Sequence, residues 1–245
     1  MDNYSSIMGI PVPKITMDAT VDRISRIIEE KRPALFHVVT LNPEITMASQ
    51  QDPQLRSIID EADLLTADGI GIVMVSRLKG NPLPERVTGC DLLLKLLETG
   101  HREHWSFYLL GADEFTNNKA DEVIRSKYPN ARIVGRHHGF FKPSEEPAIV
   151  EHIQALNPDV VVVALGAPKA ERLIYKYKHQ LNARVAVGVG GSLDVIAGKV
   201  KRAPAAIRKL NLEWLFRLMK QPSRWRRQLI LPRFAIRALL FKGKS

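Results

Sequence analysis

The chain of 245 residues carries 36 Lys and Arg against 26 Asp and Glu, a formal net charge of +10, with 45% hydrophobic and 25% charged residues. This is the composition of a globular protein of one domain, or one plus an appendage, and it excludes disorder, collagen and coiled coil. The single cysteine, Cys90, cannot close an internal disulfide, so a secreted disulfide framework is excluded and a reducing compartment is expected.

The opening residues contain Pro11 and Pro13 and no sustained apolar stretch, so no export signal is expected there. No uncharged run approaches the ~20 apolar residues that cross a bilayer. Apolar runs of strand length then follow at Ala34 to Thr40, Leu64 to Ala67, Trp105 to Leu110, Ala131 to Gly135, Asp159 to Gly166 and Arg184 to Val189. Between them lie helical patterns. Thr88 opens one, with Asp91 completing a capping box, Leu92, Leu93, Leu96 and Leu97 on the buried side, and Gly100 after its expected end. Ser144 and Pro147 mark the start of another. The run Val160-Val161-Val162-Val163 is apolar at consecutive rather than alternate positions, as a strand buried on both faces requires. The expected fold is therefore α/β: a Rossmann-like, doubly wound, mostly parallel sheet covered by helices.

After Lys199 the pattern changes. Ala205 to Lys220 reads as one helix, with Ile207, Leu210, Trp214 and Leu218 on one face and Lys209, Glu213, Arg217 and Lys220 on another. Pro222 ends it, and a basic amphipathic stretch interrupted at Pro232 follows. The domain boundary falls near Pro204, giving a body of residues 1–204 and an appendage of residues 205–245. From Lys199 onward the chain holds 14 Lys and Arg and one acid, Glu213, while the preceding residues hold 22 basic and 25 acidic side chains. All the excess positive charge is thus near the carboxyl end, interleaved with large apolar residues as in Arg224-Trp225-Arg226-Arg227 and Arg233-Phe234-Ala235-Ile236-Arg237. Such segments lie in a membrane interface, each cation near an anionic surface contributing about 1 kcal/mol. They also suit nucleic acid, with Trp225 and Phe234 stacking on bases.

In an open parallel sheet, ligands bind beyond the carboxyl ends of the strands. Three loops there carry chemistry. Asp68 precedes Gly69 at a strand end, which aims a carboxylate into the crevice or else caps the following helix. Thr40 and Asn42 present a hydroxyl and an amide, or cap the helix after Pro43. Gly188, Gly190 and Gly191 bring backbone N–H groups toward a phosphate, without full dinucleotide-fingerprint spacing. Asp60-Glu61-Ala62-Asp63 spells a helicase motif but has no phosphate loop to serve, and His137 and His138, adjacent on a strand, point to opposite faces and offer no metal set. There is no Asp-x-Asp pair to hold a divalent ion against a diphosphate, which leaves the arginine-rich tail to neutralise one.

Together Thr40-Leu41-Asn42-Pro43-Glu44, Thr66-Ala67-Asp68-Gly69-Ile70-Gly71, Pro84-Glu85-Arg86-Val87, Leu165-Gly166-Ala167-Pro168-Lys169, and Gly188-Val189-Gly190-Gly191-Ser192-Leu193-Asp194 with Ala197-Gly198-Lys199-Val200-Lys201-Arg202-Ala203-Pro204 resemble the WecG/TagA/CpsF family of bacterial glycosyltransferases. The resemblance implies an inverting transfer, without metal or cofactor, from a UDP-sugar donor to a polyprenyl-diphosphate-linked sugar acceptor. In the Gram-positive branch, N-acetylmannosamine passes to N-acetylglucosaminyl-diphospho-undecaprenol in making the wall teichoic acid linkage unit. By matching position, Asp68 would be the catalytic base. Thr40, Asn42 and Arg86 would bind substrate, and Arg217, Arg224 and Arg227 would come from an appendage that closes over the site. The implied location is cytoplasmic, peripheral on the inner face of the membrane. The implied partners are the two substrates and an anionic lipid surface rather than nucleic acid, with a homo-oligomer expected where the tail packs on another subunit away from the membrane. One departure is Ala170, where many members carry Gln.

Overall fold

The computed structural model describes residues 3–204, 206–207, 212–220 and 229–241, with only the backbone of Arg217 and Lys220. A hairpin absent from the expected strands comes first: β1 (Tyr4–Ile7) pairs antiparallel with β2 (Ile10–Pro13) through a turn in which Met8 and Gly9 both have positive φ. Pro11 and Pro13 demote this stretch in sequence. In the fold they sit outward on a two-stranded edge while Ile7, Ile10 and Val12 face the core.

Helix α1 (Met17–Glu29) leads into β3 (Phe36–Leu41), then α2 (Pro43–Ser49), α3 (Pro53–Asp60), β4 (Leu64–Ala67) and α4 (Ile70–Leu78). Next come α5 (Gly89–Glu103), β5 (Ser106–Gly111), α6 (Glu114–Lys127), β6 (Arg132–His137), α7 (Glu146–Leu156), β7 (Val160–Ala164), α8 (Lys169–Lys176), β8 (Val185–Gly188) and α9 (Ser192–Ile196). Six strands form one sheet in the order β4-β3-β8-β7-β5-β6, every neighbouring pair parallel. Strand β7 is buried at all five positions, which is why its sequence is four valines and an alanine.

The helices divide between two faces. Leu92 and Leu96 of α5 and Leu193 of α9 share one core with α1, whereas Ile45 of α2 and Ile72 of α4 pack in another on the opposite face. The exit from β3 therefore turns to one side of the sheet and the exit from its neighbour β8 to the other. That divergence opens a crevice between their carboxyl ends, where doubly wound sheets take their ligands.

Thr88 caps α5 as expected, its Oγ1 accepting from the Asp91 N–H at 3.1 Å. Gly100 does not end that helix. It runs on to Glu103, where His104 adopts a left-handed φ of 58°. A Cβ on Gly100 would fall 2.6 Å from the Phe107 ring, so the glycine is there to let helix and strand approach closely. His137 and His138 do not diverge either: β6 ends at His137, and the two rings lie 4.6 Å apart.

The expected single helix from Ala205 to Lys220 is broken at Leu212, which is not helical, and α10 (Glu213–Lys220) begins there. Two of its residues are placed against expectation. Glu213 is 6% exposed while Trp214 is 38% exposed, because the one acid of the basic segment turns inward to an ion pair. Pro232 does not interrupt the last helix, α11 (Ile230–Leu240); it occupies the first turn, where a missing N–H costs no intrahelical bond.

Candidate active site

A cleft of about 310 Å³ opens over the crevice between β3 and β8. Thr40, Asn42, Asp68, Arg86, Gly188, Gly190 and Gly191, singled out from the sequence, all line it. Each is placed by local chemistry. The Asp68 N–H donates to the Leu41 carbonyl at 2.8 Å, continuing the β3–β4 ladder past the strand end, and a Gly69 φ of 96° then swings the chain into α4. Gly69, not Asp68, is the helix cap, so the carboxylate is not spent on α4. Its Oδ2 accepts from the Gly89 N–H at 3.2 Å, which fixes one oxygen at the floor of the cleft. Gly89 eases that approach, since a Cβ there would crowd Thr40 Oγ1 at 3.3 Å and the Val189 Cα at 3.2 Å.

Thr40 is buried, and its Oγ1 donates to the Gly188 carbonyl at 3.0 Å, tying β3 to β8 at the point where they diverge. Asn42 does cap α2, its Oδ1 accepting from the Ile45 N–H at 2.9 Å, so its amide nitrogen is the part turned to other uses. The Val87 N–H holds the preceding loop to the Ala67 carbonyl at 2.9 Å and delivers Arg86 to the cleft wall. There Arg86 meets Glu213 of α10 at 3.5 Å, with both side chains largely buried.

Glu213, Trp214, Ile230 and Leu231 place the carboxyl-terminal helices in the same cleft as Asp68. The side chain of Arg217 and the whole of Arg224 and Arg227 lie outside the described residues. A second link sits at the root of the appendage, where Arg202 hydrogen-bonds Asp91 of α5. Burial of Asp91 opposes its charge, yet the hydrogen bonds from Arg202 and Thr88, with the Arg202 and Arg86 charges, bring its carboxyl below the ordinary carboxylate range. Glu171, at the start of α8, is a further carboxyl in the cleft wall, 3% exposed and pushed up by burial to about 7.

The model of the glycosyl transferase WecG/TagA/CpsF family matches residues 5–245. The chain belongs to that family. It is similar to the N-acetylglucosaminyldiphosphoundecaprenol N-acetyl-beta-D-mannosaminyltransferase of Bacillus spizizenii, with 40% identity over 208 residues, 85% of this chain and 80% of the relative. It is 35% identical to the Bacillus subtilis protein of the same name over 96% of this chain and 90% of the relative, and 33% identical to that of Staphylococcus aureus over 97% and 93%. The molecule is thus a glycosyltransferase. For this transferase, the sequence pointed to one carboxylate and a set of arginines but not to Glu171 or Glu213. A lone Glu in the first turn of an amphipathic helix reads as a partner for the helix dipole, and a lone acid in a basic tail reads as solvated; only the tertiary arrangement turns both into the cleft.

Proposed function

We propose that this glycosyltransferase moves N-acetylmannosamine from UDP-N-acetylmannosamine to N-acetylglucosaminyl-diphospho-undecaprenol, with inversion at the anomeric carbon and no metal. The observation that carries the reading is the convergence in one cleft of Asp68, Thr40, Asn42, Arg86 and the 188–191 glycine turn, in a chain whose relatives bear that activity in their names. Asp68 takes the proton of the acceptor hydroxyl as its oxygen bonds to the anomeric carbon. The bond from that carbon to the UDP oxygen breaks, and UDP leaves with the electron pair. The Gly89 N–H holds the Asp68 carboxylate in the cleft, where it is placed to act as the base. Charge growing on the diphosphate is met by Arg86 and by Arg217, Arg224 and Arg227, as cationic groups aimed at developing charge do in place of a metal.

The acceptor is lipid-linked, so the enzyme works at the inner face of the membrane without spanning it; among the described residues no helix is long and apolar enough to cross one. On α11, Phe234 and Ala238 face the core, while Ile236 and Leu240 are exposed beside Arg233 and Arg237. Across from them α4 exposes Met74 and Leu78. Apolar side chains flanked by cations suit an anionic bilayer surface. Residues 205–245 act in this reading as an appendage that completes the site of a catalytic body formed by residues 1–204. The test is to incubate the protein with UDP-N-acetylmannosamine and a short-chain lipid-diphosphate-N-acetylglucosamine. UDP release requiring both substrates and persisting in EDTA is expected. Release with the donor alone, or none with both, overturns the reading.

A further inference from the structure

We infer that Glu171 is a substrate-binding residue, and that its free carboxyl oxygen takes a hydrogen bond from a hydroxyl or amide hydrogen on the uncharged part of the sugar nucleotide. This rests on the glycosyltransferase reading above and names a contact within it. Glu171 is 3% exposed and lines the cleft, and its Oε2, shut off from solvent until the carboxyl turns outward, has no hydrogen-bond partner among the described residues. A buried carboxyl with an unmade hydrogen bond costs stability unless a ligand completes it. The surroundings are arranged around it. A Cβ on Gly188 would fall 2.9 Å from Glu171 Oε1 and 3.4 Å from the Ala170 Cβ, so the bare glycine at the end of β8 is what gives the carboxyl its place. The same Gly188 accepts from Thr40. Glu171 therefore stands next to the Thr40 and Asp68 cluster, on its far side, where the sheet order runs from β4 through β3 and β8 to β7.

The chemistry of the site selects the ligand group. A phosphate oxygen against an acid held in a low-dielectric wall is repelled once that acid ionises, whereas a sugar hydroxyl or an amide N–H satisfies it in either state. With Asp68 serving the acceptor hydroxyl from the β4 side, a carboxyl on the β7 side falls to the donor. Ala170, its neighbour, is buried and contributes no polar atom to the cleft, so Glu171 is the acid that α8 presents there.

The test is calorimetric titration of UDP and of UDP-N-acetylmannosamine into wild type, Glu171→Leu, Glu171→Asp and Glu171→Gln. Loss of a buried hydrogen bond to an acid should weaken binding by about tenfold or more in Glu171→Leu. Glu171→Asp, which withdraws the oxygens by one methylene, should weaken it severalfold, and Glu171→Gln, which keeps an acceptor and a donor, should stay within about threefold of wild type. Weakening shared by UDP assigns the hydrogen to the nucleoside; weakening confined to the UDP-sugar assigns it to the hexose. Wild-type affinity in Glu171→Leu, or in Glu171→Asp should the leucine variant not fold, overturns the inference alone. So does a fall in melting temperature without a change in affinity, which marks a purely structural acid. Absence of binding by wild type to either nucleotide overturns the proposed UDP-N-acetylmannosamine donor and this inference with it.

Discussion

The body and the carboxyl-terminal helices meet at one cleft but are held in different ways. Asp68 and Thr40 are fixed by a six-stranded sheet whose central strands are buried on both faces, so their positions follow from the core itself. Helix α10 is attached to the cleft wall through the Arg86–Glu213 pair. Helix α11 is attached through Phe234 and Ala238, inserted between α2 and α4, with the Lys79 ammonium donating to the Ala238 and Phe241 carbonyls at 3.2 and 3.0 Å. A scaffold with a continuous core opens only globally, whereas an element held by a few contacts opens locally at lower free energy. Under the proposed function, Asp68 needs the firmer attachment and an appendage that closes over the site needs the looser one.

The largest effect should come from the rigid side. Asp68→Asn keeps an oxygen to accept from Gly89 but removes the proposed proton acceptor. Turnover is expected to drop by about a hundredfold or more, the usual contribution of a general base, with the thermal midpoint unchanged. Steady-state UDP release and a melting curve check both halves. Turnover within a few fold of wild type would remove Asp68 from the chemistry.

Phe234→Ala probes the carboxyl-terminal side. Phe234 is 0% exposed and packs in the core that α2 and α4 share. Loss of a buried Phe costs about 3 to 5 kcal/mol. Hydrogen exchange should show that loss at the amides of α11, with those of β3 and β7 still protected. Equal loss of protection in the central strands would erase the distinction drawn here and make α11 an integral part of the body.

Much of this architecture is legible in the sequence because buried parallel strands announce themselves: consecutive valines can be read without knowing what covers them. All six strands of the main sheet are expected within two residues at either end. The hairpin is missed because Pro11 and Pro13 carry a general meaning that an outward-facing edge overrides. In the cleft, Asp68 and Thr40 are legible because the loop after a strand in this topology has a known destination. Glu171 and Glu213 are not. Whether a Glu on a helix faces water or a crevice depends on what packs over it, and the sequence around Glu213 assigns it the solvated face that the fold reverses.

Glu213→Gln tests that reversal. Removing one partner of a buried pair leaves the other charge desolvated, at about 3 to 5 kcal/mol when burial is complete. Arg86 keeps 16% of its side chain exposed and the pair is 3.5 Å long, so about 2 kcal/mol is expected. The loss should appear as faster exchange and proteolysis at residues 213–220, without change in the sheet. Unaltered protection in α10 would mean that apolar contacts, not this ion pair, hold the helix to the cleft.

The smallest effect concerns the root of the appendage, and its sign with pH is what identifies it. Asp91 has a folded-state carboxyl below its ordinary value of about 3.9, so its contribution to stability is present above that value and lost as pH falls through the folded one. Arg202 supplies two of the influences that lower it, against a burial that raises it. In Arg202→Leu those two influences vanish, while burial, the Thr88 hydrogen bond and the Arg86 charge remain. At neutral pH the variant should be less stable than wild type by about 1 to 2 kcal/mol, the pair being mostly but not wholly shielded from water. As pH falls through the folded-state value, Asp91 becomes neutral in both proteins and the difference should narrow toward zero, while carboxylates such as Asp113, lowered by the Lys199 hydrogen bond, titrate alike in both and cancel. Denaturant midpoints of the two proteins measured from pH 7 to pH 3 give the difference directly. A gap that stays constant over that range would mean that Arg202 anchors the linker by packing alone, and the root of the appendage would then be fastened to the body by apolar contact, as Phe234 and Ala238 fasten α11.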